Sequence, residues 1–119
     1  MIAATPPGTY HGCPKDVLPI PAAYAPAADR AALRFVRAKH SADYAGAYVT
    51  DTRLVRHWFP SGWIKDECGK LVWERSVVIT VFFPKLDLPH NPVGHCNDCA
   101  RLTYVAARTA RGWTIWGVY

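Results

Sequence analysis

Four cysteines carry the most specific chemistry in this 119-residue chain: Cys13, Cys68, Cys96 and Cys99, the last two in a Cys-x-x-Cys within the turn Gly94-His95-Cys96-Asn97-Asp98-Cys99. Three chemistries compete for them. As a zinc site, Cys96 and Cys99 supply half of a tetrahedron, and His95, His90 or His11 with Cys13 must complete it, although His11-x-Cys13 is not the usual ligand spacing. As a redox dithiol, the motif lacks the helix N-terminus that stabilises a thiolate, because it precedes a strand-like run. As structural disulfides, the even count suits two bridges, and unpaired thiols are the remaining outcome.

Aromatic and basic side chains form the second group. Of the tryptophans Trp58, Trp63, Trp73, Trp113 and Trp116, strand alternation puts Trp113 and Trp116 on opposite faces. An aromatic surface drawn from Trp58, Trp63 and Trp116 would suit a partner protein, a polysaccharide or a single nucleic-acid strand. A second apolar cluster beneath the N-terminal arm is an equal alternative for these rings. Arg30, Arg34 and Arg37 share one side of a helical stretch, and a solvated face is the simpler account of that ridge than a nucleic-acid contact. Phosphate-loop, nucleophile-elbow and His-Glu-x-x-His motifs are absent.

Half of the residues are apolar and 19% are charged, which indicates a compact fold with one core rather than a disordered tail. The net charge of +5 is scattered along the chain and reads first as a solubility charge. No apolar run reaches the roughly 20 residues of a membrane span. The first residues, Met1 to Pro7, have neither a basic nor an apolar signal-like region. The expected compartment follows the cysteines: secreted or extracytoplasmic if they pair, cytoplasmic otherwise.

Six prolines among residues 1 to 26 predict an extended proline-rich arm that ends near Pro26. A single domain is expected from 27 to 119. Its helix begins at Pro26 and places Leu33, Val36, His40, Tyr44 and Ala47 on one face, with a second line of Phe35, Ala38, Ala42 and Ala45. Asp51-Thr52 reads as a turn and 53 to 59 as an edge strand. Residues 63 to 70 read as a connection. A long strand from Leu71 to Phe83, bent near Arg75-Ser76, pairs with a strand at 100 to 108, and Ala110-Arg111-Gly112 turns into a last strand at 113 to 119.

In that hairpin Cys99 lies near the Phe83 end and Cys68 at the other, tens of ångströms away at about 3.3 Å per residue. A disulfide needs Cα atoms within roughly 7 Å, so the geometry favours Cys13 with Cys68 and Cys96 with Cys99. A fold-back of the loop 84 to 98 would remove that restriction.

The expected fold class is therefore α+β: an N-terminal helix packed on a curved antiparallel sheet of about four strands. The element order and the final Gly-Trp-Thr-Ile-Trp-Gly-Val-Tyr strand resemble the cystatin-like and nuclear-transport-factor-like (SnoaL-like) small α+β rolls. That resemblance covers residues 27 to 119. It implies a helix-over-sheet pocket with Asp43, Tyr44, Tyr48, Asp51, His57 and Trp58 near its mouth.

Some members of that group are isomerases or dehydratases, in which a buried Asp or His beside a Tyr abstracts a proton next to a carbonyl. Tyrosines satisfied in the core and aspartates on turns are the competing account of the same residues. Fold alone does not choose a function. The expectation is a non-catalytic binding or assembly module with no cofactor, structural zinc being the alternative. Its partner would be a protein, a small ligand or a second copy joined through the sheet. The runner-up is a small-pocket enzyme using Asp43 or His57 with Tyr44 or Tyr48, and the third reading is a weak polyanion contact through the arginine ridge.

Overall fold

The computed structural model describes residues 9–10, 12–39, 46–84 and 101–119. Its centre is an antiparallel meander of β2 (Tyr48–Leu54), β3 (Ser76–Phe82), β4 (Arg101–Thr109) and β5 (Gly112–Val118), with the two-residue β1 (Thr9–Tyr10) beside β5. The spatial order is β1-β5-β4-β3-β2. The α+β class, with an N-terminal helix on an antiparallel sheet, is thus the architecture observed.

Helix α1 (Ala25–Lys39) carries Pro26 in its first turn, where the missing N–H is not needed. Its buried line is Ala28, Ala32 and Val36, each completely covered. The small alanines bring the helix close to the sheet, where Val77, Ile79, Val81, Phe83, Tyr104 and Ala106 complete one core. Phe35 meets Tyr104 edge to face at 5.7 Å. The expected helical face is corrected at its ends: Ala38 is exposed, and Ala47 leads into β2 instead of lying on a helix. His40, Tyr44, Ala42 and Ala45 lie outside the described residues. Asp29 ties α1 to the sheet by accepting a hydrogen bond from the Thr52 hydroxyl.

Asp51 and Thr52, expected as a turn, are strand residues. Thr50 is an extra residue between the pairs Val49 to Val81 and Asp51 to Thr80, and its hydroxyl donates to the Thr80 carbonyl at 3.3 Å. This bulge, and the Asp51 and Arg53 side chains beyond it, are devices that discourage pairing along the open β2 edge. The strand stops at Leu54, so the stretch expected as a strand from 53 to 59 continues as two 3-10 turns, Val55–His57 and Phe59–Ser61.

The largest correction follows. Residues 62 to 74 form two short helices, α2 (Gly62–Cys68) and α3 (Lys70–Glu74), where a connection and the first part of a long strand were expected. Gly69 joins them at φ 92°, a conformation that side chains resist. Helix α3 ends at Arg75, whose N–H donates to the Leu71 and Val72 carbonyls, and β3 begins one residue later. The alternation Leu71-Trp73 had imitated a strand, but Val72 is buried while Leu71 is half exposed. Helices α2 and α3 cover the sheet face opposite α1, where Trp63, Ile64 and Val72 pack with Val78, Val105, Ala107 and Trp116. Trp63 and Trp116 meet edge to face at 5.8 Å.

Strands β3 and β4 pair without interruption from Ser76–Ala107 to Phe82–Arg101. Between β4 and β5, Trp116 is an extra residue separating the pairs Ala106 to Ile115 and Val105 to Gly117. The bulge sends Trp116 to the α2 side while Trp113 and Ile115 pack on the α1 side. No helix among the described residues is long and apolar enough to cross a membrane.

Cys13 is bonded to Cys68, with Cα atoms 5.4 Å apart and a sequence separation of 55. Replacing both by Ser is expected to lower the unfolding free energy by about 4 kcal/mol, from the chain entropy of a loop of this length. Urea denaturation of the two proteins without reductant checks this. The Ser76 hydroxyl is buried without a hydrogen-bond partner among the described residues. Ser76→Ala is therefore expected to raise stability by about 1 kcal/mol, measured in the same way.

Candidate functional site

The residues singled out for chemistry fall in different parts of the molecule. Asp43, Tyr44, His95, Cys96 and Cys99 lie outside the described residues. Cys13, bonded to Cys68, is withdrawn from any zinc set with His11. Tyr48 opens β2, whereas His57 lies in the turn beyond its far end. At about 3.3 Å per residue, the strand holds them roughly 20 Å apart. The structure therefore does not bring Tyr48 and His57 to one pocket, and apolar side chains fill the space beneath α1 that such a pocket needs.

Two of the three tryptophans proposed for a surface are core residues. Trp63 and Trp116 are 1% and 2% exposed, because the β5 bulge and the amphipathic α2 turn both rings into the layer between sheet and helices. Trp58 is half buried and meets Tyr119 edge to face at 5.1 Å. Arg30, Arg34 and Arg37 are exposed on the outer side of α1, away from the buried alanine line.

Two surfaces are built instead. On the α2 side of the sheet, the helices stop short of the end where β2 begins. Tyr48, Phe82 and Arg101 lie there in one cross-strand row. The Tyr48 and Phe82 rings are 5.4 Å apart, and the Arg101 guanidinium stands 5.9 Å above Phe82. The next row holds Asp51, Thr80, Thr103 and Tyr119, the last two joined by reciprocal backbone hydrogen bonds. Tyr48 is exposed, and so is Phe59, the residue after Trp58. At the β2 edge Arg53 donates to Asp51 at 2.6 Å, and this bond with its charge attraction raises the Arg53 pKa above its ordinary value.

The second surface is a cleft between the arm and the body. Leu18 N–H donates to the Arg108 carbonyl at 2.7 Å, Arg75 Nη1 to the Val17 carbonyl at 2.9 Å, and Arg108 Nη1 to the Pro19 carbonyl at 3.2 Å. With Val17 buried in the α2 core, Cys13 bonded to Cys68 and Thr9–Tyr10 paired with β5, the arm is held to the body at several points. It stands as the wall of a cleft of about 530 Å³ whose floor comes from the end of β2 and from α3. Sequence reasoning missed this site because it missed α3. The signal was the spacing Ile64, Cys68, Val72, one face of a helix rather than of a strand.

Arg75→Ala is expected to release the Val17 carbonyl and cost about 1.5 to 3 kcal/mol, the scale of a hydrogen bond from a charged donor. Amide exchange at Leu18 should then quicken by about tenfold, which hydrogen exchange read by NMR would show.

With both surfaces defined, comparison with known proteins adds no template: the chain matches no protein-family model, no curated protein and no solved structure.

Proposed function

We propose that this protein is a non-catalytic binding or assembly module that meets a protein partner through the open half of its sheet. One observation carries the reading: Phe59 is 98% exposed, Tyr48 52% and Tyr119 41%, while the aromatic side chains Phe83, Trp63, Tyr104 and Trp116 are buried. Exposed rings leave apolar area in water, worth about 25 cal/mol per Å² once covered. Aromatic residues with arginine at the margin are the composition of interface centres, and Arg101 and Arg53 supply that margin.

The filled layer beneath α1 supports binding rather than turnover, because burial of a substrate there would require the helix to move. The Cys13–Cys68 bond supports an oxidising compartment. The likeness to the cystatin-like and nuclear-transport-factor-like rolls enters here as a proposal about ancestry and not about activity.

A photo-reactive benzoylphenylalanine replacing Phe59 tests the surface, with the same group replacing Arg37 on α1 as control. In extract of the native host, position 59 is expected to yield one discrete protein adduct that disappears when Tyr48 and Tyr119 are changed to Ala. A covalent dimer would identify the partner as a second copy. The same adducts from both positions, or an adduct indifferent to the loss of the two rings, would overturn the reading.

A further inference from the structure

The cleft under the arm has a composition distinct from the aromatic half of the sheet. Apolar side chains line it from both sides, Ile20, Pro21 and Tyr24 from the arm and Leu54 and Leu71 from the body. Three charged residues also line it, Arg56, Arg75 and Glu74, so one positive charge is in excess. Among the described residues none of the three makes an ion pair. Arg75 uses one of its five N–H groups to hold the Val17 carbonyl, and Arg56 is exposed.

The volume, about 530 Å³, falls in the range of small-molecule sites. The arm is fixed by its disulfide and hydrogen bonds, so the wall is in place before a ligand arrives and little ordering free energy opposes binding.

We propose that this cleft binds a small amphipathic anion: a carboxylate or sulfonate that meets Arg56 and Arg75, carried on an apolar body that lies between Ile20 and Leu71. The charge excess selects the anionic head. A neutral head of the same length would leave the one excess positive charge without a counter-charge, and a cation would be repelled. Sequence alone places the two arginines 19 positions apart, and only the turn of α3 beneath the end of β2 brings them to one cleft.

The test uses the full-length oxidised protein and anilinonaphthalenesulfonate, whose fluorescence rises in an apolar site. The expected result is saturable binding that decanoate displaces, with decanol and decylammonium weaker competitors by at least about tenfold, the scale of one charge-assisted hydrogen bond. Arg56→Gln is expected to weaken decanoate by a similar factor. Leu71→Glu, at an exposed position where folding is not at risk, should abolish displaceable binding while the circular dichroism stays unchanged. Equal competition by decanol and decanoate, or full decanoate affinity in Arg56→Gln, would overturn the proposal. So would fluorescence that decanoate does not displace. None of these outcomes bears on cross-linking from position 59, so the two sites stand or fall separately.

Discussion

Burial of β3 on both faces is the constraint from which the rest of this structure follows. Val77, Val78, Ile79 and Val81 are at most 1% exposed, so residues pointing to opposite sides of the sheet are covered alike. A single helix can shield only one face. The chain meets this by sending α1 across one side and folding residues 62 to 74 into α2 and α3 on the other. Each apolar side chain buried in this way stabilises the fold by about 1.5 to 3 kcal/mol relative to exposure, set against the entropy of ordering the short helices. Neither α2 nor α3 is long enough to be stable alone, so their helical form belongs to the packed state.

That second layer is incomplete, and both surfaces described above arise at its borders. Where α2 ends, the rows of Tyr48 with Phe82 and of Thr80 with Thr103 are left half open, and Trp58 closes only the Tyr119 side. Where α2 and α3 meet the arm, the buried Val17 is joined by the disulfide from α2 and a few hydrogen bonds, with the cleft beside them. The arm has prolines that preclude regular pairing along most of its length, so beyond the two-residue β1 it is anchored point by point instead of being laid into the sheet. Arg75 serves two roles in this arrangement, holding the arm through Val17 and lining the cleft.

The Cys13–Cys68 bond depends on where each cysteine lies along the sheet and not on the type of element that carries it. Sequence pattern puts Cys68 at the end of a strand remote from the Cys-x-x-Cys turn, which leaves Cys13 as its partner. It lies on a helix, yet the pairing is the one observed, because α2 sits over the sheet beside the path of the arm. The aromatic surface shows the reverse. Of the rings expected at an aromatic surface or in a second cluster beneath the arm, Trp63 and Trp116 are inside with Val17 of the arm, while Phe59 and Tyr48 are outside. Residue type reports that a ring must be covered by something, and only packing decides whether the cover is this chain or a partner.

Several elements were determined locally. The β-branched run Ser76 to Phe82 has no competing helical period, the turn at Ala110-Arg111 carries Gly112 at φ 97°, and Pro26 opens an alanine-rich helix. Local pattern sufficed there because backbone propensity and alternation agree. Residues 62 to 74 are the opposite case. Their apolar positions fit a strand through Leu71 and Trp73 and a helix through Ile64, Cys68 and Val72, and within 13 residues the helical spacing does not by itself outweigh the alternation. The choice falls to the uncovered face of β3, which takes up Val72 with Trp63 and Ile64 and leaves Leu71 to solvent. A strand in that place would have presented Leu71 and Trp73 together and left the Val78 side of the sheet bare.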